Sequence, residues 1–554
     1  MCDSFQLQEF EARAIENLLC LESADLVLVI LNGSEDQNHK SHGIRRVLKW
    51  LRSPILFFAL YLRFIHKPKA VKRRDAGPIL SRVSKIVCRP TLRGKYSQYF
   101  DPSDVAAIAE HDLDFILRFG FNIIRGEILR VPRYGIWSFH HDDEMKYRGV
   151  PPCFWEIYNR DPVTGALIQA LSDRLDGGLI LKKAFFCTTD YSWAENIDRI
   201  FFESANWPAE LCTKISQGHF ALSDARPSVT NASINKVPNN IQMLAFLWVI
   251  VCNYVRSFAR SYFSDEIWNV GLVKAPIADL IGKPQALDVE WFPPPPLNRY
   301  FADPFGMLIE GSRYVLFEDY SHNSKRGSIS CAAITDQGTF RQIEDVMSPD
   351  YHLSYPYTFR QGEEVYCMPE SSAVKKVVLH RCMRFPTQWK EEATLLDGID
   401  AVDATLVFFD SSWWLFCTRN ERDPNLNLFV YFSKSLTGPY TPHPLNPVKS
   451  DVRSSRPAGT PFFSAGRLYR PAQDCSRTYG GAICLLEITK LTTSQFSESV
   501  VCHFDPAADG LYAEGLHHMA MFGNETLVDG KRIELRLGRI FRKLRGRFSG
   551  RGLT

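Results

Sequence analysis

The spacing of apolar positions changes character near residue 260. Before that point, continuous apolar runs alternate with helical patterns. ADLVLVILNG (24–33) is a buried β-run closing on a turn, and DVAAIAEHDLDFILRFG (104–120) is a helix feeding a strand. ALIQALSDRLDGGLILKKAFF (166–186) holds two strand-like segments around a DGG turn, and ENIDRIFFESANWPAELCTKI (195–215) is a helix. This alternation predicts an α/β domain over 1–220 with a mostly parallel sheet. The chain opens on helix-like sequence where such a domain usually opens on a strand, so the expectation is that the first strand is absent or the start codon misplaced. Residues 221–261 read as a polar linker and an apolar helix. The apolar runs at 243–255 and PILFFALYL are shorter than the roughly 20 residues that span a bilayer.

Beyond 261 the texture is of short strands rich in aromatic and β-branched residues. Five units recur, each with a polar opening, an apolar strand, a turn and often a second strand. Asp303, Tyr355, Asp403, Arg456 and Glu514 mark their openings, spaced by 52, 48, 53 and 58 residues. A period near 50 with several strands per unit predicts a β-propeller over 262–529, with five blades and the polar openings facing its channel. The expected fold class is therefore multidomain, α/β followed by all-β.

Charge divides the chain differently. The net charge is +3, yet residues 41–74 carry ten Lys/Arg and no acid, and residues 530–554 carry nine Lys/Arg and one acid. Subtracting the +10 and +8 of these segments leaves −15 on the remainder. The first segment reads as a basic, apolar insertion. In the tail, Ile533, Leu537, Ile540, Phe541, Leu544 and Phe548 fall on one helical face with arginines opposite. That spacing favours an anionic membrane surface over nucleic acid as the partner. The 14 cysteines are scattered without CxxC pairs or zinc spacing, which points to reduced thiols and a cytoplasmic, membrane-peripheral protein.

The stretch GIWSFHHDDEMKYRG (135–149) holds the densest candidate chemistry in the first half. His140 and His141 are neighbours on a predicted strand and point to opposite faces, so the pair alone cannot chelate a metal. Together with LSDRLDGG further on, the stretch resembles the formyltransferase family, whose signature runs G-x-I-N-x-H-x-S-L-L-P-x-Y-R-G and then L-D-x-G. Gly135, His140, Tyr147, Arg148 and Gly149 fall in register, and Asp176 takes the turn position, 36 residues beyond His140. The resemblance covers roughly 1–220 and implies a Rossmann-like domain. It implies His140 as acid/base, Asp176 as its orienting partner, Tyr147 and Arg148 on the substrate side, and 10-formyltetrahydrofolate as donor. Ser138 stands where the family has its catalytic Asn, and losing one oxyanion donor costs about 10²–10³ in rate. Asp142, Asp143 and Glu144 replace the folate-side loop and would repel an anionic folate. Ordinary formyl transfer is thus expected to be weak or absent.

The second half carries two resemblances. FADPF and DATLV are similar to the five-bladed glycosidases of furanosides and xylosides, which implies Asp303 as base and Asp403 as a pKa-tuning carboxylate. Arg456 stands where the acid Glu is sought, so hydrolysis needs Glu370 or Glu514 as substitute. FADPFG, YPYTF, MPES, DATLVFFDSSWWLF and RPAGTPFFSAGRLYRPAQDCSRTYG together resemble the N-terminal module of the plant glucosamine inositolphosphorylceramide transferases and bacterial relatives. A channel mouth of Asp303, Glu370, Asp403, Arg456, Arg470 and Gln473 would suit a hydroxyl-rich ligand, with Tyr355, Tyr357 and Trp414 as sugar platforms. Trp413–Trp414 also fits inter-blade core, and either aspartate also fits a strand-start amide acceptor.

The resulting expectation is a transferase-class protein of bacterial surface-glycan or glycolipid assembly, acting on a nucleotide- or lipid-linked sugar. The competing expectations are a non-catalytic glycan-binding scaffold and a propeller glycosidase.

Overall fold

The computed structural model describes residues 1–34, 53–174, 177–283, 287–335 and 340–535. The chain forms two compact units, Met1–Ser257 and Phe258 onward. The break falls inside the expected 221–261 linker.

In the first unit the main sheet has the order Arg226–Pro227, Leu179–Cys187, Val163–Ala170, Ile136–His140, Ile116–Arg118. Of its pairings, that between Ile116–Arg118 and Ile136–His140 is parallel. Val163–Ala170 runs antiparallel to both neighbours. The sheet is mixed rather than mostly parallel. The physical reason is the DGG connection: a few residues can return a strand beside itself only in the antiparallel sense, since a parallel neighbour needs a crossover of a dozen or more. Leu28–Asn32 lies in a separate parallel pair with Ser84–Cys88. The helix expected over 195–215 is two, Trp193–Ser204 and Trp207–Ser216. Ser192 caps the first by accepting from the Glu195 amide, and Pro208 sits in the opening turn of the second, where its missing N–H costs nothing.

A 24-residue helix, Asn240–Phe263, follows. It is long and apolar enough to cross a membrane by length and composition. The expectation of a shorter apolar element is corrected because Asn240, Gln242 and Arg256 bound the apolar run without ending the helix.

Among the described residues, the second unit contains five antiparallel sheets. Four follow one another along the chain: Arg299–Ile309 to Phe340–Met347, Ser354–Gln361 to Gln388–Asp397, Ala401–Phe409 to Lys449–Ser450, and Phe462–Ser464 to Phe496–Phe504. The fifth is composite. Ser264–Val273 pairs along its whole length with Glu525–Leu535, joining the two ends of the unit. Residues 530–535, expected to begin an amphipathic helix, are therefore strand, and Ile533 lies opposite Glu266. The rest of the expected tail, 536–554, and residues 41–52 of the basic insertion lie outside the described residues. None of the 14 cysteines forms a disulfide.

Candidate functional site

The first strands of three successive sheets share one irregularity. Their registers shift between Ala302 and Phe305, between Ser354 and Tyr357, and between Val402 and Thr405. At each shift a non-glycine residue takes a left-handed backbone: Asp303 at φ 53°, Tyr355 at 43° and Asp403 at 51°. In the fourth unit Gly459, at φ 125°, adopts a positive φ as well, and a Cβ there would lie 2.0 Å from the Met519 carbonyl oxygen. Such bulges release amides from the ladder and re-aim side chains. The released amides find partners. Asp529 Oδ2 accepts from Asp303 N at 3.0 Å, Asp303 Oδ2 from Tyr355 N at 3.3 Å, and Glu370 Oε2 from Asp403 N at 3.1 Å. Tyr355 Oη accepts from Gly459 N at 2.8 Å. Asp303 is thus a backbone-amide acceptor, whereas Asp403 is committed elsewhere.

Asp403 accepts from Arg456 Nε at 2.5 Å and from Gln473 Nε2 at 2.9 Å. Arg456 also reaches Asn425 Oδ1 and the Tyr479 hydroxyl, and its guanidinium lies 4.9 Å from the Tyr479 ring centre. Asp403, Gln473 and Asp303 are buried, while Tyr479 is 37% exposed and forms the solvent-facing side of the group. His517 Nδ1 lies 2.6 Å from Asp529 Oδ2, and its Nε2 lies 3.7 Å from Asp303 Oδ1. Asp529 Oδ1 accepts from the amides of His517 and His518.

Charge is expensive in this setting, and the groups divide accordingly. Burial first, then Asp403 and Asp529, raise Asp303 to about 7 against the opposing effect of His517. Burial and then Asp403 raise Glu370 to about 8. Glu318 is held well above the usual carboxyl range by burial and then by Asp303. Against burial, which lowers it, Asp529 and Asp303 raise His517, while burial lowers His518 to about 4. Asp303, His517 and Asp529 each offer one atom within 4.8 Å of the others, and among the described residues these three could hold a cation. The same contacts describe an imidazolium held between two carboxylates. Chemically, the cluster offers two carboxyls poised to exchange protons near neutrality beside a fixed Arg–Asp pair.

Asp303, Glu370, Asp403, Arg456 and Gln473 are therefore brought together. Arg470 is not. It is fully buried on a pair of bonds to Glu498, at 2.6 and 2.7 Å, and donates to the Ser454 carbonyl. Glu514 is half-exposed and paired with Arg260, and the polar opening of the fifth unit is instead His517–His518. Tyr355, Tyr357 and Trp414 are core residues, at 0%, 4% and 2% exposure, and cannot act as sugar platforms. Glu318, Tyr479, His517, His518 and Asp529 were not singled out by sequence reasoning. A doubled histidine at the fifth opening was the available signal.

The first unit places its motif residues differently. Ser138 is buried and its hydroxyl accepts from Arg118 Nη1 at 3.0 Å. His141 is buried, 2.9 Å from the Ser204 hydroxyl and stacked on Phe201 at 3.6 Å. His140 ends the same strand half-buried. The acidic run is not a solvated loop. Asp142 accepts from Cys153 N at 2.6 Å, and Asp143 and Glu144 bind Lys183 at 2.6 and 2.7 Å. Tyr147 faces Asp161, and Arg148 donates to the Ala232 carbonyl. Asp176 lies outside the described residues. A cavity of about 480 Å³ opens beside Ser138, walled by Arg118, Glu11, His66, Trp193 and Phe201.

Residues 292–521 match a family model described as glucosamine inositolphosphorylceramide transferase 1, N-terminal. The glucosamine inositolphosphorylceramide transferase 1 of Oryza sativa subsp. japonica is 36% identical over 251 residues, 43% of this chain and 34% of the relative. That of Arabidopsis thaliana is 32% identical over 207 residues, 36% and 27%. The methionyl-tRNA formyltransferase of Gloeothece citriformis is 28% identical over 152 residues, 26% of this chain and 43% of the relative. The chain thus spans about a third of the plant relatives and less than half of the formyltransferase. A solved exo-β-1,3-galactanase from Clostridium thermocellum is 11% identical, with a TM-score of 0.32 over 39% of this chain and 53% of that one. The chain joins a formyltransferase-like region to a segment related to the N-terminal part of the glucosamine inositolphosphorylceramide transferases.

Proposed function

We propose that the protein is a transferase of bacterial surface-glycan or glycolipid assembly that binds a nucleotide- or lipid-linked sugar among Asp303, Glu370, Asp403 and Arg456. The observation that carries this is the convergence of those residues inside the segment related to the inositolphosphorylceramide transferases. In this reading the five sheets are the blades of a propeller and the strained openings line its channel. Glycosyl transfer needs a base for the acceptor hydroxyl, and a carboxyl titrating near 7, as Asp303 does, is suited to that task. Hydrolysis is less well served. Two carboxyls must flank the bond, and the place of one is taken by Arg456, which is already paired with Asp403.

A second reading rests on the cavity beside Ser138, whose wall of Glu11, Arg118 and His141 would serve a second sugar-derived ligand. Formyl transfer from 10-formyltetrahydrofolate does not fit these residues, because Ser138 offers no amide and its oxygen is engaged by Arg118. Residues 41–74 and the basic tail would hold the protein to the inner face of an anionic membrane; nucleic acid is not proposed as a partner.

The test is incubation of the full chain with a panel of nucleotide sugars and inositolphosphorylceramide, read by mass spectrometry. A glycosylated lipid that disappears with Asp303→Asn supports the proposal. Binding without turnover selects the scaffold reading, and neither binding nor turnover overturns the proposal.

A further inference from the structure

The helix Asn240–Phe263 has one face in the protein and one face left exposed among the described residues. Within the first unit, Met243, Phe246, Val249 and Asn253 are buried. Phe246 meets Tyr61, Phe154 and Trp193, and the Asn253 amide donates to the Asp190 carbonyl at 3.2 Å. Opposite them, Ile241, Leu244, Trp248, Val251 and Val255 repeat at steps of three and four, and each is more than half exposed. A surface helix ordinarily turns charged residues outward. Between 240 and 255 this one has none.

A second element lies beside it. The helix Leu56–Phe64 is tied to the start of the long helix, since Asn240 Nδ2 donates to the Ser53 carbonyl at 2.9 Å and Asn240 Oδ1 accepts from Phe57 N at 3.0 Å. It exposes Phe57, Leu62 and Phe64, followed by Ile65. Arg63, Lys67, Lys69 and Lys72 follow at the surface, and Arg256 is exposed near the other end of the long helix. No acid occurs in 53–72 or 240–257.

The geometry points to this face as a docking surface for an anionic lipid bilayer, on which the long helix lies in the plane of the membrane. Charge selects the occupant: an apolar ridge built from two segments whose charged residues are all cations matches apolar chains beneath anionic headgroups. Trp248 and Tyr254 suit the boundary between the two. The buried face favours lying in the plane over spanning, because Phe246 and Asn253 are engaged by the protein. The inference deepens the membrane reading above but needs neither the tail nor a sugar ligand.

The experiment is co-sedimentation of the full chain with phosphatidylcholine vesicles, with and without phosphatidylglycerol, and no glycolipid. Three proteins are compared: wild type, Trp248→Gln/Val251→Gln/Val255→Gln, and a chain truncated after residue 535. Wild type should bind the anionic vesicles, the triple variant at least tenfold more weakly, and the truncation should retain much of the binding. Brominated lipid should quench a component of the tryptophan fluorescence that Trp248→Phe removes, which guards against a misfolded triple variant. Equal binding by wild type and triple variant, or no contribution of Trp248 to quenching, overturns the inference. So does a wild-type dimer that ignores vesicles and that the triple variant dissociates, because a second copy would then cover the face.

Discussion

The strand ending at His140 and the strand openings at Asp303 and Asp403 both carry residues that look chemical in sequence, but the fold uses them in opposite ways. Around His140 the conspicuous groups are distributed. Ser138 goes to Arg118, His141 to Ser204 and Phe201, Asp142 to a backbone amide and the Glu156 carboxyl, and Asp143 and Glu144 to Lys183. In the second unit, side chains from four sequence-distant openings meet one another, and three of the backbones that deliver them are strained. Strained, buried, mutually perturbing groups persist only where the surroundings over-determine them. A motif in register therefore says less about chemistry than convergence does.

The sharpest way to break this comparison is to leave Asp403 buried without its cation. Arg456→Met should cost about 3–5 kcal/mol, the range for breaking a buried pair by removing one partner. Urea denaturation of the second unit reads the loss. Lys183→Met in the first unit should cost less, about 2–3 kcal/mol, because Lys183 and Asp143 keep 18% and 12% of their side-chain surface in water. A loss from Lys183→Met confined to the first unit's transition, with ligand binding intact, would support a structural role for the acidic run. Loss of sugar binding in that variant would return the run to the functional site.

A smaller effect is read through pH. Glu370 is raised from 4.5 to about 8. Between those values the folded protein keeps a proton that the unfolded chain has released, so stability falls as pH rises through that window. The slope is up to about 1.4 kcal/mol per pH unit for one proton. Glu370→Gln should flatten this fall between pH 5 and 8, measured by denaturant titration at several pH values. An unchanged slope would place the proton elsewhere.

Much of the second unit was legible because its period is local. Each strained opening sits at the head of an apolar strand, so Asp303, Tyr355, Asp403 and Arg456 could be aligned by spacing alone. The fifth could not. Its sheet is assembled from strands some 260 residues apart in sequence, Ser264–Val273 and Glu525–Leu535, and no local pattern reports that pairing. The spacing marks Glu514 in place of His517, and Asp529, which accepts from the amides of both histidines, gives no signal. Arg470 was misplaced for a related reason, since its partner Glu498 lies on another strand. In the first unit the burial of Asp143 and Glu144 depends on Lys183, 40 residues further on. The unexpected length of Asn240–Phe263 has a different cause: polar residues end an apolar run but not a helix.

The central claim is that sugar recognition belongs to the second unit rather than to the His140 strand. Isothermal titration with a panel of nucleotide sugars and soluble inositol-phosphate headgroups, on wild type, Asp303→Asn and His140→Ala, tests it most directly. The account predicts a ligand whose affinity falls at least tenfold with Asp303→Asn, about 1.4 kcal/mol, and is unchanged in His140→Ala. Loss of binding in His140→Ala with full retention in Asp303→Asn would contradict it.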